Sequence, residues 1–184
     1  MNKRAIRIRR SVLCALFAAL LAVAAWIQIP ATIPFTLQTA VVCIAASLSG
    51  GIAALSVAVY LALGAVGLPV FSNFTAGWAV LVGPTAGYLW GFFLTVAVIA
   101  LCKAILGSGR WVTAWSMAIG VALCYLSGTM WFALVYIAEP MSLQEIMAIC
   151  VLPFLLPEIA KVALAAVITV RIRKTNLIAS KYIS

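Results

Sequence analysis

From Phe35 to Val66 the chain carries no charged side chain, and the loop that follows, to Val82, adds none. A run that long and that apolar reads as membrane helices, because each span needs about 20 apolar residues. Lipid offers no partner for a loose backbone amide, so the chain must pair its own. The rest of the sequence agrees. Of 184 residues 67% are hydrophobic and 8% charged, where a soluble domain has roughly 25% charged. The expectation is an all-α integral membrane protein, a bundle of six transmembrane helices forming a single membrane domain over residues 1–184.

The breaks place the spans. The first covers 11–29 and stops where Pro30 and Pro34 fall close together. Residues 35–66 are too long for one span and short for two, and Ser49-Gly50-Gly51 is the natural division, giving 36–49 and 52–66. A polar, uncharged loop, 67–82, precedes a fourth span at 83–106, with Pro84 placed for its first turn. The fifth and sixth spans are expected at 112–137 and 146–172, the last bent at Pro153 and Pro157. An N-terminal signal peptide is the competing reading of the first span. An uncleaved span is preferred, because its apolar run reaches Ile29 and the even count needs it.

The net charge of +9 does not point to nucleic acid. Lys3, Arg4, Arg7, Arg9 and Arg10 precede the first span, Arg171, Arg173, Lys174 and Lys181 follow the last, and Lys103 and Arg110 flank one short turn. The outer loops around 30–35, 67–82 and 138–145 contain no basic residue. This is the positive-inside pattern, with residues 1–10 and 173–184 as cytoplasmic termini of a multi-pass protein in the cytoplasmic membrane. Six spans put both termini on that side.

The inventory of reactive groups is poor. Histidine is absent, aspartate is absent, and the acids are Glu139, Glu145 and Glu158. A histidine-based triad, a zinc hydrolase or a paired-aspartate protease cannot be built from this set, so transport or binding is favoured over enzyme chemistry. No P-loop pattern is present, so ATP hydrolysis, if needed, belongs to a partner. The five cysteines are scattered through apolar segments and read as small buried hydrophobes.

Against that background Glu158 and Lys161 stand out. Between Ile146 and Val170 they are the only ionisable residues apart from Cys150. Their spacing puts them on one helix face. A charge at membrane depth marks a functional site by default, whereas a buried pair is a poor route to stability. An ammonium can hold a carboxylate, and a carboxylate accepts amide-like N–H groups. Other candidates carry weaker signals. Tyr88 lies on a ridge of Gly83, Gly87 and Gly91 that suits close helix packing. Thr36, Gln38 and Thr39 either cap the second helix or line a pocket mouth. Tyr125, near Ser127, Thr129 and Trp131, is a buried phenol in need of a partner. Ala15, Ala18, Ala19 and Ala22 form a small-residue face suited to internal packing or to docking another membrane subunit.

Four stretches, in order, resemble the BioY family, the biotin-specific substrate-binding subunits of energy-coupling factor (ECF) vitamin transporters. They are Ile33-Pro-Phe-Thr-Leu-Gln-Thr39, Tyr60-Leu-Ala-Leu-Gly-Ala-Val-Gly-Leu-Pro-Val-Phe71, Gly83-Pro-Thr-Ala-Gly-Tyr88 with Gly91-Phe92, and Pro157-Glu-Ile-Ala-Lys161. The resemblance implies a six-helix bundle that binds biotin from outside, with no metal or covalent cofactor. It also implies partners: a transmembrane coupling subunit, met by the alanine face, and two cytoplasmic ATPase subunits. It sends the valerate carboxylate to Lys161 and the ureido N–H groups to Glu158 or a loop carbonyl. The ureido carbonyl goes to Asn73, Thr75 or Tyr125, and the ring to walls such as Phe35, Tyr88 and Trp131. The family usually has Gly-Asp-x-x-Lys where this chain has Pro157-Glu158 and Lys161, so the carboxylate here reaches one methylene further. The rival readings are a carrier for another vitamin on the same scaffold and a non-transport structural or assembly protein.

Overall fold

The computed structural model describes residues 3–30, 33–136 and 142–175. In chain order it contains α1 (Lys3–Trp26), β1 (Gln28–Ile29), β2 (Phe35–Thr36), α2 (Gln38–Ser49), α3 (Gly51–Ala65), α4 (Trp78–Leu81), α5 (Ala86–Leu106), α6 (Arg110–Trp131), α7 (Leu143–Cys150) and α8 (Leu155–Lys174). The two strands pair antiparallel, Gln28 opposite Thr36, and everything else regular is helical. Four segments are long and apolar enough to cross a membrane: Lys3–Trp26, Ala86–Leu106, Arg110–Val135 and Gln144–Lys174. The helices α2 and α3, of 12 and 15 residues, fall short of the ~30 Å hydrocarbon core at ~1.5 Å per residue.

The helical segments therefore do not number the expected six, and the reasons are local. Pro153 lies in a 3-10 turn (Leu152–Phe154) that separates α7 from α8. A proline inside a helix removes one amide donor and collides with the carbonyl of the preceding turn. Pro157 is tolerated because it sits in the first turn of α8, where amides have no helical partner to lose. The loop 67–82 is not wholly irregular: it holds α4 and a short 3-10 turn. The helix after it starts at Ala86 rather than at Gly83. At the other extreme, α1 runs back through the basic residues to Lys3, side chains with good helix propensity.

Between α2 and α3 the chain turns at Gly50, with φ of 54°, a conformation that costs glycine little. The strongest pairing is α5 against α6, at close range. A Cβ on Gly91 would stand 2.9 Å from the Cys124 sulfur, and one on Gly120 would stand 3.1 Å from the Thr95 methyl. Cross-bonds fasten the pair. The Thr95 hydroxyl donates to the Gly120 carbonyl at 2.9 Å, and the Ser127 hydroxyl to the Gly87 carbonyl at 3.0 Å.

Outward, the bundle presents oil to its surroundings. On α1 the side chains of Val12, Leu16, Leu20 and Val23 are exposed, while Leu13, Phe17 and Leu21 are buried. Trp111, Trp115, Leu126 and Met130 of α6 and Leu156, Ile159 and Leu164 of α8 are exposed as well. Apolar surface this extensive is untenable in water and normal against acyl chains. One end of the bundle gathers cations. Arg173 donates to the carbonyls of Ser47 (2.8 Å) and Ser108 (3.0 Å), and Lys103 donates to the Ser47 carbonyl (3.1 Å). Carbonyls at a helix C-terminus favour positive partners. At the opposite end the loop 67–82 is tied to α1. Trp26 donates to the Pro69 carbonyl at 3.1 Å and stacks on Phe74, and Gln28 hydrogen-bonds Asn73.

Candidate functional site

The last membrane segment brings Glu158 and Lys161 inward from the first turns of α8, 6% and 8% exposed. Their charged groups touch, Oε2 to Nζ at 2.6 Å. Across from them, β2 and the start of α2 supply the polar partners. The Thr39 hydroxyl donates to Glu158 Oε1 at 2.7 Å and accepts from Lys161 Nζ at 2.8 Å. Lys161 also donates to the Thr36 carbonyl at 2.7 Å, and Tyr125 of α6 donates to Glu158 Oε2 at 3.0 Å. An ammonium has three protons, and here each has an acceptor. As a pair the two charges are neutral and internally satisfied.

Beside this knot lies a narrow cavity of about 60 Å3, lined by Phe35, Gln38, Tyr60, Phe71, Tyr88, Tyr125, Phe154 and Lys161 among others. Its walls are aromatic. Phe35 stacks on Phe154 with centroids 5.4 Å apart and covers the Lys161 ammonium at 3.8 Å, a cation–π contact. Tyr88 meets Tyr125 edge to face at 5.6 Å. Gln38 donates to the Tyr60 hydroxyl at 2.7 Å. A broad, mostly apolar groove runs between α6 and α8, lined by Trp115, Leu126, Leu155, Ile159 and also Glu158. The four apolar side chains are exposed, so that groove faces lipid; Glu158 and Tyr125 border it, while Lys161 and Tyr125 border the cavity, so the polar knot stands between the two.

Of the candidates read from sequence, the structure brings Glu158, Lys161, Tyr88, Tyr125, Phe35 and Gln38 to one place. It does not bring Asn73, Thr75 or Trp131 there. Asn73 and Thr75 are exposed in the outer loop, Asn73 against Gln28 and Thr75 bonded to the Ser72 carbonyl at 2.8 Å. Trp131 donates its ring N–H to the Gly83 carbonyl at 3.0 Å, bracing the entry to α5. The alanine face of α1 is divided: Ala18 and Ala22 are buried, Ala15 and Ala19 exposed. Sequence reasoning left out Tyr60 and Phe154 and gave Thr39 no more than a place at a pocket mouth, although Thr39 bridges both charges. The signal was available for Thr39, a hydroxyl one turn past the Pro34 break. Nothing in the sequence pairs Phe154 with Phe35.

Fold and site together define a polytopic α-helical membrane protein that keeps a hydrogen-bonded acid–ammonium pair next to a small, aromatic-walled cavity. The model of the BioY family matches residues 1–177, and the chain belongs to that family. It is 38% identical over 171 residues to the biotin transporter BioY of Thermotoga maritima, covering 92% of this chain and 98% of that one. It is 35% identical over 163 residues to a probable biotin transporter BioY of Pyrococcus horikoshii, covering 88% and 94%. The fold matches the crystal structure of the S-component for biotin from an ECF-type ABC transporter, with a TM-score of 0.82 over 95% of each chain at 24% identity.

Proposed function

We propose that this chain binds biotin and serves as the substrate-specific subunit of an ECF-type uptake system, with a coupling subunit and two ATPase subunits as partners. Its family membership and its near full-length likeness to a biotin transporter support this reading. The polypeptide makes six passes: α1, α2, α3, α5, α6, and a sixth formed by α7 and α8 about the Pro153 break. Both termini are cytoplasmic. The cations gathered where α1 begins and where α2, α5 and α8 end support that sidedness. The short helices α2 and α3 are tolerated because neighbouring helices cover their ends.

The contact geometry favours one way of holding the vitamin. Glu158 and Lys161 are 2.6 Å apart and already neutral as a pair. The carboxylate and the ureido ring of biotin, separated by the valerate chain and the bicycle, cannot both reach atoms so close together. A carboxylate on Lys161 would leave a net negative charge at membrane depth, which is expensive. A urea edge is neutral and presents an acceptor beside a donor, the complement of an ammonium beside a carboxylate. The ureido carbonyl therefore takes a Lys161 proton in place of the Thr36 carbonyl, and a ureido N–H donates to Glu158. In this arrangement the valerate carboxylate lies toward the mouth near Ser72 rather than on Lys161. Entry requires Phe35 to leave its stack over Lys161, because the cavity as it stands is too small for a bicyclic guest. Asn73 and Thr75 meet the ligand after the loop 67–82 closes over it.

The observation that carries this is the satisfied, neutral pair walled by aromatics. Titration calorimetry of the purified chain tests it with biotin, its carboxyl amide biocytin, and riboflavin. The expected order is biotin and biocytin within about tenfold of each other, with riboflavin not binding. A thousandfold loss for biocytin would return the carboxylate to Lys161, and preference for riboflavin would refute biotin altogether.

A further inference from the structure

The start of α1 and the start of α3 border an open surface cleft of about 350 Å3, lined by Lys3, Ile6, Arg7, Arg10, Ser11, Gly51, Ile52 and Leu55, most of them exposed. Spacings of four and three place Lys3, Arg7 and Arg10 on one face of α1. None of these three makes a hydrogen bond or ion pair with another described residue. Three features make this arrangement electrostatically unfavourable without a counter-charge. Like charges one turn apart repel. The first turn of α1 holds cations and no acid, the wrong sign for a helix N-terminus. The facing start of α3 has no side-chain cap, so its own amide end adds positive potential. The chain has little to offset this. Glu145 closes a capping box with Ser142 and Glu158 holds Lys161, while Glu139 lies outside the described residues, in the sequence between α6 and α7. The other cations at this end differ, because Arg173 and Lys103 are bonded to helix-terminal carbonyls.

We propose that this cleft is a headgroup site for an anionic phospholipid, with the phosphate held by Lys3, Arg7 and Arg10 and the start of α3. The apolar part of the lining decides between a lipid and a free anion. Ile6, Ile52 and Leu55 line the cleft with the cations, and Leu55 is 56% exposed, as are Val12 and Leu16 of α1 to a similar extent. A phosphate with an acyl tail fits both halves, and a bare phosphate fits one. Basic pockets between membrane helices at the cytoplasmic surface suit such headgroups. Three cations spread over two helical turns favour a lipid with two phosphates, of the cardiolipin type, over phosphatidylglycerol. The proposal is independent of what the site at Lys161 binds, and uses the sidedness above only to say which leaflet supplies the lipid.

Native mass spectrometry of the purified full chain tests it, with cardiolipin, phosphatidylglycerol, phosphatidylcholine and inorganic phosphate as probes. The expected result is retention of cardiolipin over phosphatidylglycerol and no retention of phosphatidylcholine. Lys3→Gln/Arg7→Gln/Arg10→Gln should weaken cardiolipin binding on the order of a hundredfold, since each basic residue near an anionic surface contributes roughly a factor of five. Arg110→Gln/Arg171→Gln/Lys174→Gln removes equal charge at the same end and should leave retention unchanged. Leu55→Trp keeps every charge, fills the cleft, and should lower retention on its own, so the test does not rest on the triple variant folding. Equal loss in both triple variants, displacement of the lipid by inorganic phosphate, or retention undiminished in Leu55→Trp would overturn the site.

Discussion

Replacing Lys161 alone, and then together with Glu158, separates a ligand-binding pair from a structural one. Lys161→Met leaves the Glu158 carboxylate buried with two hydroxyl donors, Thr39 and Tyr125, and no cation. Breaking one side of a buried pair costs about 3–5 kcal/mol. The double variant Glu158→Leu/Lys161→Met removes both charges, and apolar replacement of a buried pair is about neutral or stabilising by 1–4 kcal/mol. Against that gain stand the groups left behind. The Thr39 hydroxyl can turn to the Thr36 carbonyl, three residues back, which Lys161 releases, but the Tyr125 hydroxyl loses its acceptor, at about 1–3 kcal/mol. The double variant should therefore return to within about 2 kcal/mol of the parent while the single variant does not. Thermal unfolding in detergent reads the stabilities and calorimetry reads biotin binding, which both variants should lose. If the double variant still binds biotin at parental affinity, the pair is not the recognition element and the site assignment is wrong. If Lys161→Met is as stable as the parent, the carboxylate is not isolated as the structure indicates.

Three further outcomes follow from the same geometry. Ala19→Leu, on the exposed side of α1, should leave biotin binding by the isolated chain unchanged and abolish uptake in cells with coupling and ATPase subunits; Ala18→Leu, at a position 3% exposed, should lower stability by about 1–3 kcal/mol through overpacking. Gly91→Val should lower thermal stability by a similar ~1–3 kcal/mol, because its Cβ would meet the Cys124 sulfur at 2.9 Å. Phe35→Ala uncovers Lys161 and removes a stacking partner of Phe154, so stopped-flow measurements should show faster biotin association and a larger proportional rise in dissociation.

The helical, membrane-embedded character was legible because charge is so scarce, and a burial pattern follows directly from that in lipid. The turn at Gly50 was legible because adjacent glycines interrupt an apolar run. The division of the last segment was half legible: proline marks the position, but a bend and a stop both satisfy a proline, and the 3-10 turn that separates α7 from α8 is seen only in the structure. The charged pair was visible from composition alone. What completes it was not, because Thr39 reaches Glu158 across 119 positions and the Thr36 carbonyl reaches Lys161 across 125. Backbone carbonyls carry no mark in a sequence. Nor does the sequence mark Ser127, whose hydroxyl bonds the Gly87 carbonyl of α5 because Gly87 and Gly91 let the two helices approach closely.

The fully occupied ammonium of Lys161 has a consequence for selectivity in ordinary media. Chloride, phosphate and small organic acids vastly outnumber a trace vitamin outside a cell. A bare cation in the pore would be clogged by them. Here an intruding ion must evict a threonine carbonyl, a threonine hydroxyl and a glutamate together, and offers no matching donor in return. The pair thus favours a guest that can satisfy both neighbours at once over an ion that can satisfy only one.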